Sequence, residues 1–213
     1  MMRQAISRNA TVLTTFALGF ALILGVTEWF TREPIATARR AAEARAYEQI
    51  LPHTRYDNVL LDDVITLADR KLLGLRAPRN ALVARMGGRV EAVILPFSAA
   101  DGYGGAIDMI AAVNADGTIA GVRTVAHHET PGLGDRIERR KSDWIESFRG
   151  RSLADPPPAR WTVRKDGGDF DQFTGATITP RAVTAAVRRA LQYFEANRAT
   201  LTAPRAAENR NDE

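Results

Sequence analysis

The chain has 213 residues, 45% of them apolar, with a net charge of +4 and no cysteine. That length suits an anchor and one ordinary globular domain, and the lack of cysteine excludes disulfides and any cysteine-ligated iron–sulfur centre within the chain. The arginines are scattered among acidic residues instead of forming a basic stripe, which argues against nucleic-acid binding.

Asn9 to Thr27 contains no charged residue and is rich in Leu, Val, Ile, Phe and Ala. As a helix, Thr11 to Phe30 would reach about 30 Å at ~1.5 Å per residue, long enough to span a bilayer, with Trp29 and Phe30 at an interface. A cleaved signal peptide is the competing reading, with Arg3 and Arg8 as its basic region and Ala36-Thr37-Ala38 as a small-x-small site. The apolar run is longer than a signal core, and the site lies beyond charged Arg32 and Glu33, so an uncleaved anchor over residues 1–30 is expected. Orientation does not follow from charge. Arg3 and Arg8 precede the span and Arg32, Arg39, Arg40 and Arg45 follow it, but long soluble domains translocate largely regardless of local charge. Arg32 to Gln49 reads as a charged, alanine-rich helical stalk, giving a segment 31–50.

From 51 to 202 the pattern is that of one domain. Arg89 to Phe97, Ala106 to Asn114 and Thr118 to Ala126 carry the β-branched and apolar clusters of strands, and Asp116-Gly117 signals a hairpin between the last two. Gly74 to Arg79 and Asp155 to Ala159 read as loops, Asp143 to Phe148 as helical, and Trp161 to Arg164 as a further strand. Antiparallel strands with segregated helices give an α+β class. The run Asp101-Gly102-Tyr103-Gly104-Gly105 has a superficial likeness to a dinucleotide loop. It lacks Gly-x-Gly-x-x-Gly spacing and leads into a strand instead of a helix, so a Rossmann assignment fails.

After the third strand comes His127-His128-Glu129-Thr130-Pro131-Gly132-Leu133-Gly134, a constrained loop with turn residues at its centre. Two histidines and a glutamate invite a metal site, but adjacent side chains on extended chain point apart and the only other histidine is His53. Trp144 and Trp161 read as space-filling aromatics.

The most informative stretch is Asp171-Gln172-Phe173-Thr174-Gly175-Ala176-Thr177-Ile178-Thr179-Pro180. Thr179 suits an N-cap and Pro180 the first helical position, so a helix is expected to start there. Val183, Ala186, Val187, Ala190, Leu191 and Phe194 then recur at three- and four-residue spacing and mark one buried face. Free N–H groups and the positive dipole end would point at the Thr174 to Thr179 loop, where Gly175 and Ala176 allow close approach; this is a place to hold a phosphate. A polar tail, Ala203 to Glu213, closes the chain and is expected to fray.

Asp171, Thr174, Gly175, Ala176 and Thr177 match, without a gap, the Asp-x-x-Ser/Thr-Gly-Ala-Thr flavinylation signature of FMN-binding domains. A mere capped turn would show these five positions by chance roughly once in a few thousand chains of this size. The loop from His127 resembles the His-x-Glu-Thr-Pro-Gly-Leu-Gly segment of the same family. The chain is thus similar to the RnfG/RsxG subunit of Rnf electron-transport complexes and, less closely in length, to the NqrC subunit of sodium-pumping quinone reductases.

The resemblance implies FMN joined through its phosphate to Thr177 by a flavin transferase, as a phosphoester. The resulting diester has one negative charge, which a helix N-terminus stabilises without a lysine. Thr179 is the other hydroxyl in reach. Asp171 opens the signature and would help the transferase. Glu129, Thr130, Leu133 and Gly134 would neighbour the cofactor, Leu133 giving apolar contact and Thr130 and Glu129 bonding the polar edge of the ring, with Tyr103 and Gly104 as wall residues. The implied role is a membrane-anchored electron carrier with a cytoplasmic N-terminus and a periplasmic domain, at the inner membrane. Its partners would be the membrane and iron–sulfur subunits of a complex coupling ferredoxin and NAD redox chemistry to ion transport. A flavin-based redox sensor and an unflavinylated anchored binding module are the alternatives.

Overall fold

The N-terminal helix α1 (Met2–Ile50) carries the apolar run in the computed structural model, which describes residues 2–204, and side chains other than those of 2–12 and 35–45. The chain divides into two units between Ala42 and Glu43. In the first, Leu13–Pro34 is 22 residues long with mean hydropathy 1.6 and no buried residue, so it is long and apolar enough to cross a membrane. Two of its hydroxyls are turned onto the backbone: Thr27 donates to the Ile23 carbonyl and Thr31 to the Thr27 carbonyl, both at 2.8 Å. That satisfies groups which lipid could not.

The second unit is built on a five-stranded antiparallel sheet in simple order: β1 (Val64–Leu67), β2 (Arg79–Met86), β3 (Arg89–Gly102), β4 (Gly105–Asn114) and β5 (Ile119–Ala126). Strand alternation sends two sets of side chains to opposite faces. Val93, Leu95, Phe97 and Ala99 of β3 stand opposite Val113, Ala111, Met109 and Ile107 of β4. All eight join the core beneath the C-terminal helix α2 (Ile178–Leu201). The intervening Ala92, Ile94, Ile110 and Ala112 face the other way, where they pack with Ala46, Ile50 and Leu51 from the end of α1. Gly121 of β5 leaves room for that turn, since a Cβ there would stand 3.1 Å from Ile50. With helices grouped about an antiparallel sheet, the domain is α+β.

Helix α2 buries the expected stripe, Val183, Ala186, Val187, Ala190, Leu191 and Phe194, each at most 1% exposed. Each such side chain stabilises the fold by roughly 1–3 kcal/mol of area burial. The β4–β5 hairpin turns at Asp116-Gly117 as expected, with Gly117 at φ 91° and its N–H on the Asn114 carbonyl at 2.8 Å. Asp143 to Phe148 is helical in the tighter 3₁₀ form, over Trp144–Phe148.

Two expectations are corrected. Trp161 to Arg164 is no strand: a lone bridge joins Val163 to Phe170, and a 3₁₀ turn (Arg164–Asp166) follows at once, closed by Gly167 at φ 87°. Helix α2 begins at Ile178, not Pro180, so Thr177 occupies the cap position and Thr179 lies inside the first turn. Most of the predicted polar tail, residues 205–213, lies outside the described residues.

Candidate functional site

Three loops meet at the start of α2. The first is the β3–β4 turn, which carries Tyr103 and Gly104. The second is the loop after β5. There Thr130-Pro131-Gly132-Leu133 forms a turn with proline second and Gly132 third at φ 78°, closed by the Leu133 N–H on the Thr130 carbonyl at 3.1 Å. That is the residue order a type II turn requires. The third is Phe173-Thr174-Gly175-Ala176, built alike, with Gly175 at φ 82° and the Ala176 N–H on the Phe173 carbonyl at 3.1 Å. A side chain at Gly175 would be strained by that φ and would meet Leu133 Cδ2 at 3.4 Å.

Between these loops lies a pocket of about 240 Å³ lined by Tyr103, Glu129, Thr130, Leu133, Gly134, Gly175, Ala176, Thr177, Ile178 and Thr179. Nine of the ten are residues picked out from the sequence; Ile178 was not. Its position between Thr177, the last residue of the signature, and Thr179 was the available signal. Asp171 and Thr174 do not line the pocket. Asp171 is exposed, its carboxylate 3.0 Å from the Arg164 guanidinium and its carbonyl accepting the Trp144 indole N–H at 2.7 Å. Trp144 in turn packs edge-on to Phe173, with centroids 5.1 Å apart, and the Arg136 guanidinium lies 5.5 Å from the same ring's centroid. The signature loop is therefore pinned from beneath by an aromatic cluster.

Glu129 is the hub of the three loops. It is 5% exposed, and its carboxylate accepts the Gly104 N–H at 2.9 Å and the hydroxyl of fully buried Thr179. Glycines make room for it: a Cβ on Gly134 would come within 2.7 Å of the carboxylate, and one on Gly104 within 1.9 Å of the His128 carbonyl oxygen. The ring of His127 accepts the Glu129 N–H at Nδ1 (3.1 Å) and contacts Glu138 through Nε2 (3.2 Å). Behind the loop, buried Asp135 is held below the usual carboxylate range, first by its hydrogen bond from Lys141.

The two threonines at the start of α2, Thr177 and Thr179, differ sharply. Thr179 is fully buried and its hydroxyl is committed to Glu129. Thr177 is half-buried in the pocket wall, and its side chain makes no capping bond to the helix it precedes. The amides of Ile178 and Thr179 open a 24-residue helix, Pro180 brings no N–H, and only at Arg181 does an amide reach back, to the Thr177 carbonyl at 3.4 Å. Those amides and the dipole behind them suit a phosphate group. The pocket's lip is apolar and open: Tyr103 is 69%, Ile178 48% and Leu133 42% exposed. That surface suits the face of an aromatic ring. The residues present thus fit a phosphorylated aromatic cofactor joined or bound at the start of α2.

Such a layout defines a cofactor-holding domain, and residues 102–192 match the FMN-binding domain family. Residues 1–50 match the RnfG N-terminal region. The G component of the ion-translocating oxidoreductase complex of Pseudomonas aeruginosa (strain UCBPP-PA14) is 53% identical over 205 residues, covering 96% of each chain. Its counterpart of the same name in Cereibacter sphaeroides (strain ATCC 17023) is 51% identical over 92% of this chain and 87% of its own. That of Shewanella loihica is 44% identical over 94% of each. The chain belongs to this RnfG family. It is an FMN-binding-domain protein of a membrane electron-transport family, with one candidate membrane span among the described residues.

Proposed function

We propose that this protein is a membrane-anchored electron carrier holding FMN through a phosphoester on Thr177, within a complex that couples ferredoxin and NAD redox chemistry to ion transport. The observation that carries the reading is the contrast at the start of α2. Thr177 offers an uncommitted hydroxyl in the pocket wall, whereas Thr179 is buried and bonded to Glu129.

The chain's own residues divide the task. Thr177 would supply the attachment oxygen, and the amides of Ile178 and Thr179, at the start of α2, would favour the phosphate's single remaining charge. Leu133, Ile178 and Tyr103 provide the apolar lip against which a ring is placed. Bound flavin supplies reversible electron acceptance at a single site. Outer-sphere transfer needs no general base or nucleophile, so the domain's work is holding and orientation. A covalent bond keeps the cofactor from being lost outside the cytoplasm, which fits a domain on the periplasmic side of an inner-membrane anchor, loaded by a flavin transferase. Other membrane and iron–sulfur subunits would donate and accept the electrons.

The test is intact mass and in-gel flavin fluorescence after denaturation, on full-length protein co-expressed with a flavin transferase. Wild type and Thr179→Ala are expected to retain one FMN, and Thr177→Ala none. Wild type without covalent flavin, or flavin retained by Thr177→Ala, would overturn the attachment.

A further inference from the structure

The burial of Glu129 is unlike that of the other acids around it. Asp135 and Glu138 lie behind the same loop and are both met by Lys141, with Arg140 also on Glu138. Glu129 has no lysine, arginine or histidine side chain within ion-pair reach among the described residues, and no basic residue lines the pocket. One of its oxygens accepts the Gly104 N–H and the other pairs with the Thr179 hydroxyl, so both are held by the protein. A charge 5% exposed is weakly screened, so it acts on whatever occupies the pocket it lines.

We propose that Glu129 is a tuning residue: a fixed, uncompensated negative charge in the pocket wall that lowers the reduction potential of the flavin held there. The inference rests on the cofactor reading above. Adding an electron to a ring in this pocket adds negative charge facing a buried anion, and repulsion makes reduction harder. The two hydrogen bonds fix where that charge sits, one tying it to the β3–β4 turn that bears Tyr103, the other to the first turn of α2. Glu129 acts through its field from the pocket wall, each of its oxygens held in place by one protein group.

Two substitutions separate charge from shape. Glu129→Gln keeps the shape and removes the charge; Glu129→Asp keeps the charge and disturbs the fit. Spectroelectrochemical titration of full-length, flavin-loaded protein in detergent should show Glu129→Gln about tenfold easier to reduce in the one-electron equilibrium, a positive shift of ~59 mV. Glu129→Asp should stay near wild type. An unmoved or more negative Glu129→Gln, or an equal positive shift in Glu129→Asp, would overturn the proposal. Should Glu129→Gln fail to fold, the reduced-minus-oxidised infrared difference spectrum of wild type decides. A carboxylate band that shifts on reduction and responds to ¹³C-labelled glutamate supports the charge, and its absence refutes it. If wild type carries no covalent FMN, attachment at Thr177 fails separately, and the same titrations are run on protein reconstituted with free FMN.

Discussion

The closest backbone approach at the site offers a sharp test of how the three loops are held. A Cβ added at Gly104 would stand 1.9 Å from the His128 carbonyl oxygen and 2.4 Å from its carbon. That is about 1.5 Å short of ordinary contact, and both partners are backbone, so no side chain can swing aside. In Gly104→Ala the β3–β4 turn must move away from the loop after β5 that carries His128 and Glu129. Overpacking of this kind costs roughly 1–3 kcal/mol. The Gly104 N–H bond to the Glu129 carboxylate is then stretched or lost, which adds about 1.5–3 kcal/mol for a bond to a charged group. A loss of about 3–5 kcal/mol is expected. Gly87→Ala is the internal control: its Cβ meets nothing within 4 Å, though its φ of 58° is left-handed, so only the backbone strain of ~1–2 kcal/mol applies. The assay is denaturant unfolding of the full chain in detergent, followed by the fluorescence of Trp144 and Trp161. Equal losses in the two variants, or a Gly104→Ala loss below about 1 kcal/mol, would refute the close packing on which the site's geometry rests.

Trp144→Phe should remove the indole bond to the Asp171 carbonyl while keeping the aromatic packing on Phe173. The expected cost is about 1 kcal/mol, with slower flavin loading at Thr177 than in wild type; unchanged stability and loading would show that the loop is held without it. Asp135 binds its proton more weakly folded than unfolded, so its contribution to stability is present above the ordinary aspartate value of 3.8 and declines as the pH falls below it. Acid unfolding of wild type should steepen below about pH 4, and Lys141→Met, which removes the first-named cause, should flatten that limb; an unchanged limb in Lys141→Met counts against the pairing.

The turns and the helix that shape the pocket were legible because they are local, whereas the roles of Tyr103, Glu129, Thr130, Leu133 and Thr177 came from the family resemblance. Turn chemistry reads from neighbours: Pro131-Gly132 and Gly175 each announce a turn within four residues, and the stripe from Val183 to Phe194 announces a buried helix face within twelve. What was not legible depended on partners far along the chain. Strand β2 was missed, and its sequence Arg-Asn-Ala-Leu-Val-Ala-Arg-Met shows why. Arg85 breaks the apolar run, and its burial is met by distant partners, Asp63 at 2.6 Å from 22 residues upstream and the Ala203 carbonyl at 3.1 Å. β1, four residues long, carries too little pattern to be found alone.

Thr179 makes the same point at the site itself. By local chemistry a threonine before a proline is an N-cap, and the sequence places it so. What overrides that preference is Glu129, 50 residues away, whose buried carboxylate needs a donor and takes the Thr179 hydroxyl. Once Thr179 is committed, the helix starts earlier, at Ile178, and Thr177 moves to its rim with its oxygen unused for capping. A buried acid in one motif thus sorts the two threonines of the other, one into the frame and one into the pocket. The two motifs are read separately in the sequence, but their roles are set jointly. It follows that a change at Glu129 should be felt at Thr177, although no bond joins them.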